Sequence, residues 1–190
     1  MSIFDTAVRL DGNVTTVTAE LYWEIPTNLI GWATAHTDDL DIVAVALDAS
    51  GCVTNNCTSY IAVSACGTMR HSGENVNGRG KRGVPRETIT VDLNDNPNTA
   101  IFFAVKTLEG AGLHHSQNSS FAVDANGNLH TAEISNNPQM KNMRSAILGV
   151  LLQSPEGNWH YAPQAILSVC GYMEDVQTFA VRAHAQMMRA

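Results

Sequence analysis

The sequence is poor in charged and aromatic residues, and it has no hydrophobic run long enough to cross a membrane. Charged residues make up 15% of the 190 positions and aromatic residues 6%. No segment approaches the roughly 18 consecutive apolar residues of a membrane-spanning helix. The first residues, with Asp5 among them, also lack the apolar core of a signal peptide. We therefore expect a cytoplasmic protein without a membrane span.

Cysteine is also scarce, and its spacing argues against the common structural roles of this residue. The four cysteines form no Cys-x-x-Cys pair and have no histidine at zinc-finger spacing. A chain of this length buries about 70% of its unfolded surface and needs no disulfide or structural metal to fold. The sequence therefore predicts reduced, mostly buried cysteines at Cys52, Cys57, Cys66 and Cys170.

Basic residues are rarer in the chain than acidic ones. The chain has 11 Lys and Arg against 18 Asp and Glu, a formal net charge of −7. Because a polyanion would be repelled by this field, we expect no nucleic-acid partner. Protein partners or self-association are the expected interactions.

Several short segments alternate between apolar and polar residues with the period of a β-strand. One such strand is predicted around Leu21 and another around Ile89, and their predicted buried faces are Val17, Ala19, Leu21 and Trp23, and Glu87, Ile89, Val91 and Leu93. Two runs, 42–47 and 101–105, are apolar at every position and too short for helices. They are predicted to be central strands.

Turn signals separate these strands and indicate the fold class. Asn126-Gly127 predicts a two-residue hairpin, and Pro155 to Asn158 predicts a second turn between two apolar segments. The polar stretch from Leu113 to Ser120 is predicted to be a loop. The pattern as a whole predicts a mainly β fold, an antiparallel β-sandwich.

The end of the sequence has the period of a helix instead. From Glu174 onward one stripe of apolar side chains predicts an amphipathic helix. The stripe consists of Val176, Phe179, Ala180, Ala183 and Met187. It is expected either to close its own sandwich or to dock on a neighbour, which would make a homo-oligomer. We divide the chain into a sandwich domain over 1–172 and a helical extension over 173–190.

Acidic residues gather beside one predicted central strand. Asp38, Asp39 and Asp41 stand directly against the apolar run 42–47, although like charges so close repel one another. A glycine-rich segment over 70–87 offers further oxygen ligands, among them Glu74. Hard cations such as calcium bind carboxylate, amide and carbonyl oxygens. Residue types alone leave two interpretations open, a cation site and solvated loop residues.

Three motifs resemble the TerD family of tellurite-resistance and stress-response proteins. They are DLDIVAVALDASG, HSGENVNGRGKRGVPRETITVDL and AILGVLLQSPEGNWHYAPQAILSVCGY, in this order along the chain. The resemblance implies a calcium-binding β-sandwich without established enzymatic chemistry. Carried over position by position, it predicts calcium ligands at Asp39, Asp41, Glu74 and Asn75. On the expectation that Asp39 and Asp41 would face opposite ways on a regular strand, we also predict a turn or bulge near Leu40 that brings both carboxylates together.

The sequence also departs from the family pattern. Thr37 stands where the family has an aspartate, and four basic residues replace acidic residues of the glycine loop, Arg79, Lys81, Arg82 and Arg86. We therefore expect one weak site, with the basic loop as a local counterweight to the aspartates.

Two functions follow from the resemblance and the residues. One is a stress-linked, calcium-binding adaptor, and the other is a structural or assembly subunit of a larger particle with a vestigial ion site. An enzyme is not expected, because the adjacent loop residues His71 and Ser72 rarely reach the geometry of a catalytic pair.

Overall fold

A computed structural model describes most of the chain. The described residues are 3–24, 39–75, 86–107, 112–113, 116–135, 137–140, 143–163 and 175–187. The basic loop residues Arg79, Lys81 and Arg82 lie outside these ranges, as do the aspartate Asp38 and Thr37.

The described residues form two antiparallel sheets and one α-helix. The strands are β1 (Val8–Arg9), β2 (Thr16–Glu24), β3 (Leu40–Leu47), β4 (Val53–Cys57), β5 (Met69–His71), β6 (Glu87–Asp92), β7 (Ala100–Thr107), β8 (Gln117–Ala125), β9 (Asn128–Glu133), β10 (Ser145–Gln153) and β11 (Trp159–Pro163), and the helix is α1 (Val176–Met187). Short 3-10 helices lie at Ile3–Asp5 and Pro138–Met140. One sheet has the order β1-β11-β10-β7-β3-β4 and the other β5-β6-β2-β8-β9. The predicted antiparallel sandwich is confirmed.

The core between the sheets is built by the predicted alternation. Along β2 every second residue is buried, from Val17 to Trp23, and the residues between are partly buried. Strand β6 repeats this pattern, and its buried set contains Glu87 as well as Ile89 and Val91. A carboxylate on the core-facing side of a strand is unusual, because burying a charge is costly unless it is paired or hydrogen-bonded.

Both faces of the six-stranded sheet are covered at its centre. Ala44 of β3 and Phe103 of β7 belong to the core between the sheets. Their sequence neighbours Val45 and Phe102 belong to a second apolar cluster on the outer face, which includes Phe179 of α1. Two covered faces explain why β3 and β7 read as apolar at nearly every position.

The helix uses its apolar stripe against its own sheet. Phe179, Ala180 and Ala183 are buried, and Val176 and Met187 pack against the same cluster while remaining partly exposed. The predicted amphipathic helix is confirmed, and the helix closes its own sandwich. Its predicted role in a homo-oligomer stays a prediction. Within the described part of the chain, no helix combines the length and hydrophobicity of a membrane span.

One buried member of the helix was absent from the predicted stripe. His184, in the last turn, is 9% exposed, and its Nδ1 lies 3.0 Å from where a Cβ on Gly51 would stand. The helix therefore also rests on the turn between β3 and β4. Burial lowers the pKa of His184, while the nearby carboxylate of Asp48 acts in the opposite direction.

Turns and loops follow the sequence signals with one exception. Asn126 and Gly127 have φ values of 60° and 77°, the left-handed conformations that a two-residue hairpin of this kind requires. The segment 113–120 was predicted to be a loop, but β8 begins at Gln117 and pairs with β2. Backbone hydrogen bonds to β2 form whatever the polarity of the side chains, so composition was a poor guide there.

The cysteines are less buried than predicted. Cys52, Cys57 and Cys66 are free thiols, as expected, but only Cys57 is buried. Cys170 lies outside the described residues.

Replacing Phe179 with alanine should destabilise the protein strongly. The side chain is fully buried between α1 and the outer face of the sheet, and such truncations cost about 3–5 kcal/mol. We expect the Tm to fall by roughly 10 °C, measured by differential scanning calorimetry. Val181→Ala on the exposed side of the same helix is the matched control, with an effect within about 0.5 kcal/mol. Equal effects of the two variants would contradict the packing of α1.

The lowered pKa of His184 should make the protein acid-sensitive. Below the unfolded-state pKa the unfolded chain takes up the proton more readily, so the stability contribution of neutral His184 is lost as pH falls through that range. The Tm of the wild type should therefore fall more steeply between pH 7 and 5 than that of His184→Gln, which cannot titrate. Parallel pH profiles of the two proteins would show that His184 is not involved.

Candidate metal centre

The strand directions bring several chain segments together at one end of the sandwich. Strands β3 and β6 begin at this end, and their antiparallel neighbours β4, β5 and β7 end there. The site therefore takes residues from both sheets and from the segment that follows β5. Sequence positions far apart meet here because the ends of antiparallel strands alternate.

Glu87, the first residue of β6, is the centre of this region. Its side chain is fully buried, and Oε2 accepts a hydrogen bond from the backbone N–H of Ile42 at 3.0 Å. Oε1 accepts from the backbone N–H of Asn75 at 3.1 Å. Because Ile42 belongs to β3 in the other sheet, one carboxylate joins the two sheets and the loop after β5. Charged acceptors make such bonds stronger than neutral ones.

His71 is oriented toward the same carboxylate. The backbone N–H of Gly73 donates to Nδ1 of His71 at 2.9 Å, so in the neutral imidazole the ring proton is on Nε2. That nitrogen lies 3.4 Å from Glu87 Oε2. Gly73 has a φ of 106°, a conformation that favours glycine. The hydroxyl oxygen of Ser72 accepts a hydrogen bond from the backbone N–H of Thr88 at 3.0 Å.

Asp41 contributes a second fully buried carboxylate. Its Oδ1 accepts the hydroxyl of Ser59 at 3.2 Å, and Nζ of Lys106 lies 3.6 Å from its Oδ2. Burial is the main cause that raises the pKa of Asp41 above its usual range. The Lys106 ammonium partly offsets this effect, and the carboxylates of Glu87 and Glu74 add to the rise.

Three carboxylates converge at this end of the sandwich. One oxygen each of Asp41, Glu74 and Glu87 lies within 4.8 Å of the others, with Glu74 on the exposed side. The three carboxylates carry a charge of −3 and the Lys106 ammonium carries +1, so the net charge of the group is −2 when His71 is neutral. A group of carboxylates with a charge of −2 suits a hard divalent cation, which binds oxygen ligands at about 2.0–2.6 Å.

The hydrogen bonding of Asp41 tests whether these residues fit a cation. Its Oδ2 is buried and accepts no hydrogen bond within the described residues. A buried carboxylate oxygen usually has such a partner. One oxygen of the Asp41 carboxylate lies within 4.8 Å of an oxygen of each of the other two carboxylates, so the donor set fits a cation that would complete its coordination.

The predicted ligands occupy different places in this geometry. Asp41 and Glu74 belong to the converging group, while Asp39 precedes β3 and lies outside that group. Asn75 is positioned by its N–H bond to Glu87. The ligand set as a whole stays a prediction.

Of the expected turn or bulge near Leu40, the bulge is wrong, and a turn before Asp39 would lie outside the described residues. Residues of β3 pair with β7 in regular register from Leu40 onward. Side chains two apart on a strand share a face, so Asp39 and Asp41 need no bulge to lie on one side.

Glu87 is the member of the group that was not predicted as a ligand. Its place in an alternating pattern with Ile89 and Val91 was the available signal, because that pattern put a carboxylate on the buried face. Arg86, the described end of the basic segment, donates its Nε to the carbonyl of Trp23 at 3.0 Å. It therefore packs along the end of β2.

Comparison with known proteins identifies the fold. No protein-family model and no curated protein matches the sequence. Among solved structures, a protein of unknown function, SAV2460, is similar with a TM-score of 0.69 and 20% identity, over 89% of this chain and 96% of that one. A homologue of the telluride resistance protein TerD from Streptomyces coelicolor is similar with a TM-score of 0.68 and 18% identity, over 87% and 95%. The chain therefore has a TerD-like fold.

Replacing Glu87 with glutamine should weaken the junction of the sheets. Glutamine offers one oxygen where two backbone N–H groups now donate, and an unsatisfied buried donor costs about 1–3 kcal/mol. We expect a lower Tm and a lower midpoint in urea. Glu133→Gln, which removes the same charge from an exposed position of β9, should have little effect. A neutral result for Glu87→Gln would show that the carboxylate is not needed to join the sheets.

Proposed function

We propose that this TerD-like chain is a non-enzymatic calcium-binding protein that acts as a stress-linked adaptor in the cytoplasm. The observation that carries the proposal is the convergence of Asp41, Glu74 and Glu87 at one end of the sandwich, with a buried oxygen of Asp41 that accepts no hydrogen bond from the part of the chain that the structure describes. The fold shared with a TerD homologue supports it. With a formal net charge of −7, its partners are proteins rather than nucleic acids.

The residues of the site would bind the ion in distinct ways. Asp41 and Glu87 supply two rigid carboxylates from different sheets, and Glu74 supplies an exposed one from the loop. Calcium affinity depends on ligand charge and on the rigidity of the site. Because Glu87 already accepts two backbone N–H groups, its capacity as a ligand is reduced. We therefore expect one site of low affinity, with a Kd of about 10⁻⁴–10⁻³ M.

A second candidate is a structural subunit of a larger assembly. One turn between β4 and β5 exposes three large apolar side chains within four residues, Tyr60, Ile61 and Val63. Tyr60 alone is 76% exposed. Exposed apolar patches often mark contact surfaces. In this alternative the sandwich supplies contacts, and the ion site has lost its importance.

Glu74→Gln should weaken calcium binding without harming the fold. The side chain is exposed and belongs to the converging carboxylates, so the change removes a ligand charge without disturbing the core. Titration calorimetry should show a Kd about tenfold weaker than that of the wild type. Glu133→Gln, with the same change of net charge three strands away from Glu87 in the same sheet, is the control. Absence of binding to the wild type at millimolar calcium would reject the calcium function.

The two candidate functions also predict different oligomeric masses in solution. Light scattering with and without calcium should find a monomer or small oligomer for the adaptor. A large assembly that is indifferent to calcium would favour the structural subunit instead.

A further inference from the structure

Lys106 is built into the acidic end of the sandwich by strand register. It is the next-to-last residue of β7 and lies opposite Asp41 of β3 on one side and Ser145 of β10 on the other. Its side chain is only 23% exposed, and the residues of β7 before it are all buried and apolar. A lysine at a central strand position is thus held beside a fully buried carboxylate.

The contact between the two side chains is an ion pair without a hydrogen bond. Nζ of Lys106 stands 3.6 Å from Oδ2 of Asp41, and that oxygen accepts no hydrogen bond from any described residue. Hydrogen bonds from an ammonium to a carboxylate have lengths of about 2.7–2.9 Å. Lys106 therefore supplies charge to Asp41 but leaves the lone pairs of Oδ2 available to another ligand.

This position gives Lys106 two opposite effects. Without a metal ion, its charge offsets the burial of the Asp41 carboxylate, which would otherwise stand uncompensated. When a cation approaches the three carboxylates, the same charge repels it at short range. A single contact thus stabilises the protein without metal and weakens its binding of metal.

We propose that Lys106 is the residue that sets the cation affinity of this site, as a tethered positive charge with which calcium must compete. The proposal rests on the proposed calcium function and extends it. Lys106 changes the net charge of the group from −3 to −2. It therefore also limits the positive charge that the site can neutralise. Calcium binding and the Lys106 to Asp41 contact oppose each other.

Two substitutions at Lys106 separate its charge from its shape. Lys106→Gln removes the charge but keeps a side-chain NH₂ group that can donate to Asp41, and Lys106→Arg keeps the charge. Arg9→Gln is the control for net charge, since it also changes the formal charge from −7 to −8.

Arg9 is a suitable control because it lies at the other end of the same sheet. Arg9 pairs with His160, which pairs with Leu152, and Leu152 pairs with Ala100, the first residue of β7. Lys106 lies six residue steps along β7 from Ala100, about 20 Å away.

Titration calorimetry with calcium chloride and calorimetric melting should give a consistent set of changes. Lys106→Gln should bind calcium about tenfold more tightly than the wild type. Its Tm should be several degrees lower without calcium, and calcium should raise that Tm more than it raises the wild-type Tm. Lys106→Arg and Arg9→Gln should bind calcium as the wild type does.

Each other outcome counts against a defined part of the proposal. Equal affinities of the wild type and Lys106→Gln, or an equal gain in Arg9→Gln, overturn the role of Lys106 and leave the calcium function standing. No binding to the wild type or to Lys106→Gln at millimolar calcium removes the calcium function and this inference with it. Binding to Lys106→Gln alone supports the role of Lys106 and rejects calcium binding by the wild-type protein. If Lys106→Gln is unfolded without metal, calcium must restore its fold, and failure to do so overturns the inference.

Discussion

The hydrogen bonds of Glu87 are the interaction on which this end of the molecule depends. A carboxylate at the start of β6 accepts backbone N–H groups from β3 and from the segment after β5, so the two sheets and a loop share one anion. Burying that anion is acceptable because it receives charge-assisted hydrogen bonds and faces His71. The same arrangement concentrates negative charge where Asp41 and Glu74 converge. Structural cohesion and affinity for a cation therefore come from the same side chain.

Much of the fold could be predicted from local patterns. The alternation in β2 and β6, the apolar runs of β3 and β7, the Asn126-Gly127 hairpin and the stripe of α1 each depend on neighbours within a few positions of sequence. The first residues of β8 were predicted to belong to a loop because they are polar, but pairing with β2 rather than hydrophobicity determines where the strand begins. Local composition does not report such pairing.

The site was less predictable, since it depends on contacts between distant segments. Asp41 and Glu74 could be named from residue type and from the family resemblance, but the ion pair between Asp41 and Lys106 depends on the register of β3 against β7. The exposure of Glu74 and the burial of Glu87 are likewise set by which strands meet at one end of the sandwich. A single sequence fixes the alternation within a strand much more firmly than the register between strands.

The helix that covers the outer face of the six-stranded sheet has a consequence for synthesis of the protein. Strand β7 ends at Thr107 and α1 begins at Val176, so about 70 residues are translated between them. At about 5–20 residues per second, the ribosome takes several seconds over this stretch. During that interval α1 is not yet available to cover the outer face around Val45 and Phe102, where Ile3 and Phe4 supply part of the cover. The part of this cluster that α1 covers is therefore among the last surfaces to be buried during synthesis, and transiently exposed apolar surface makes a folding chain prone to aggregation.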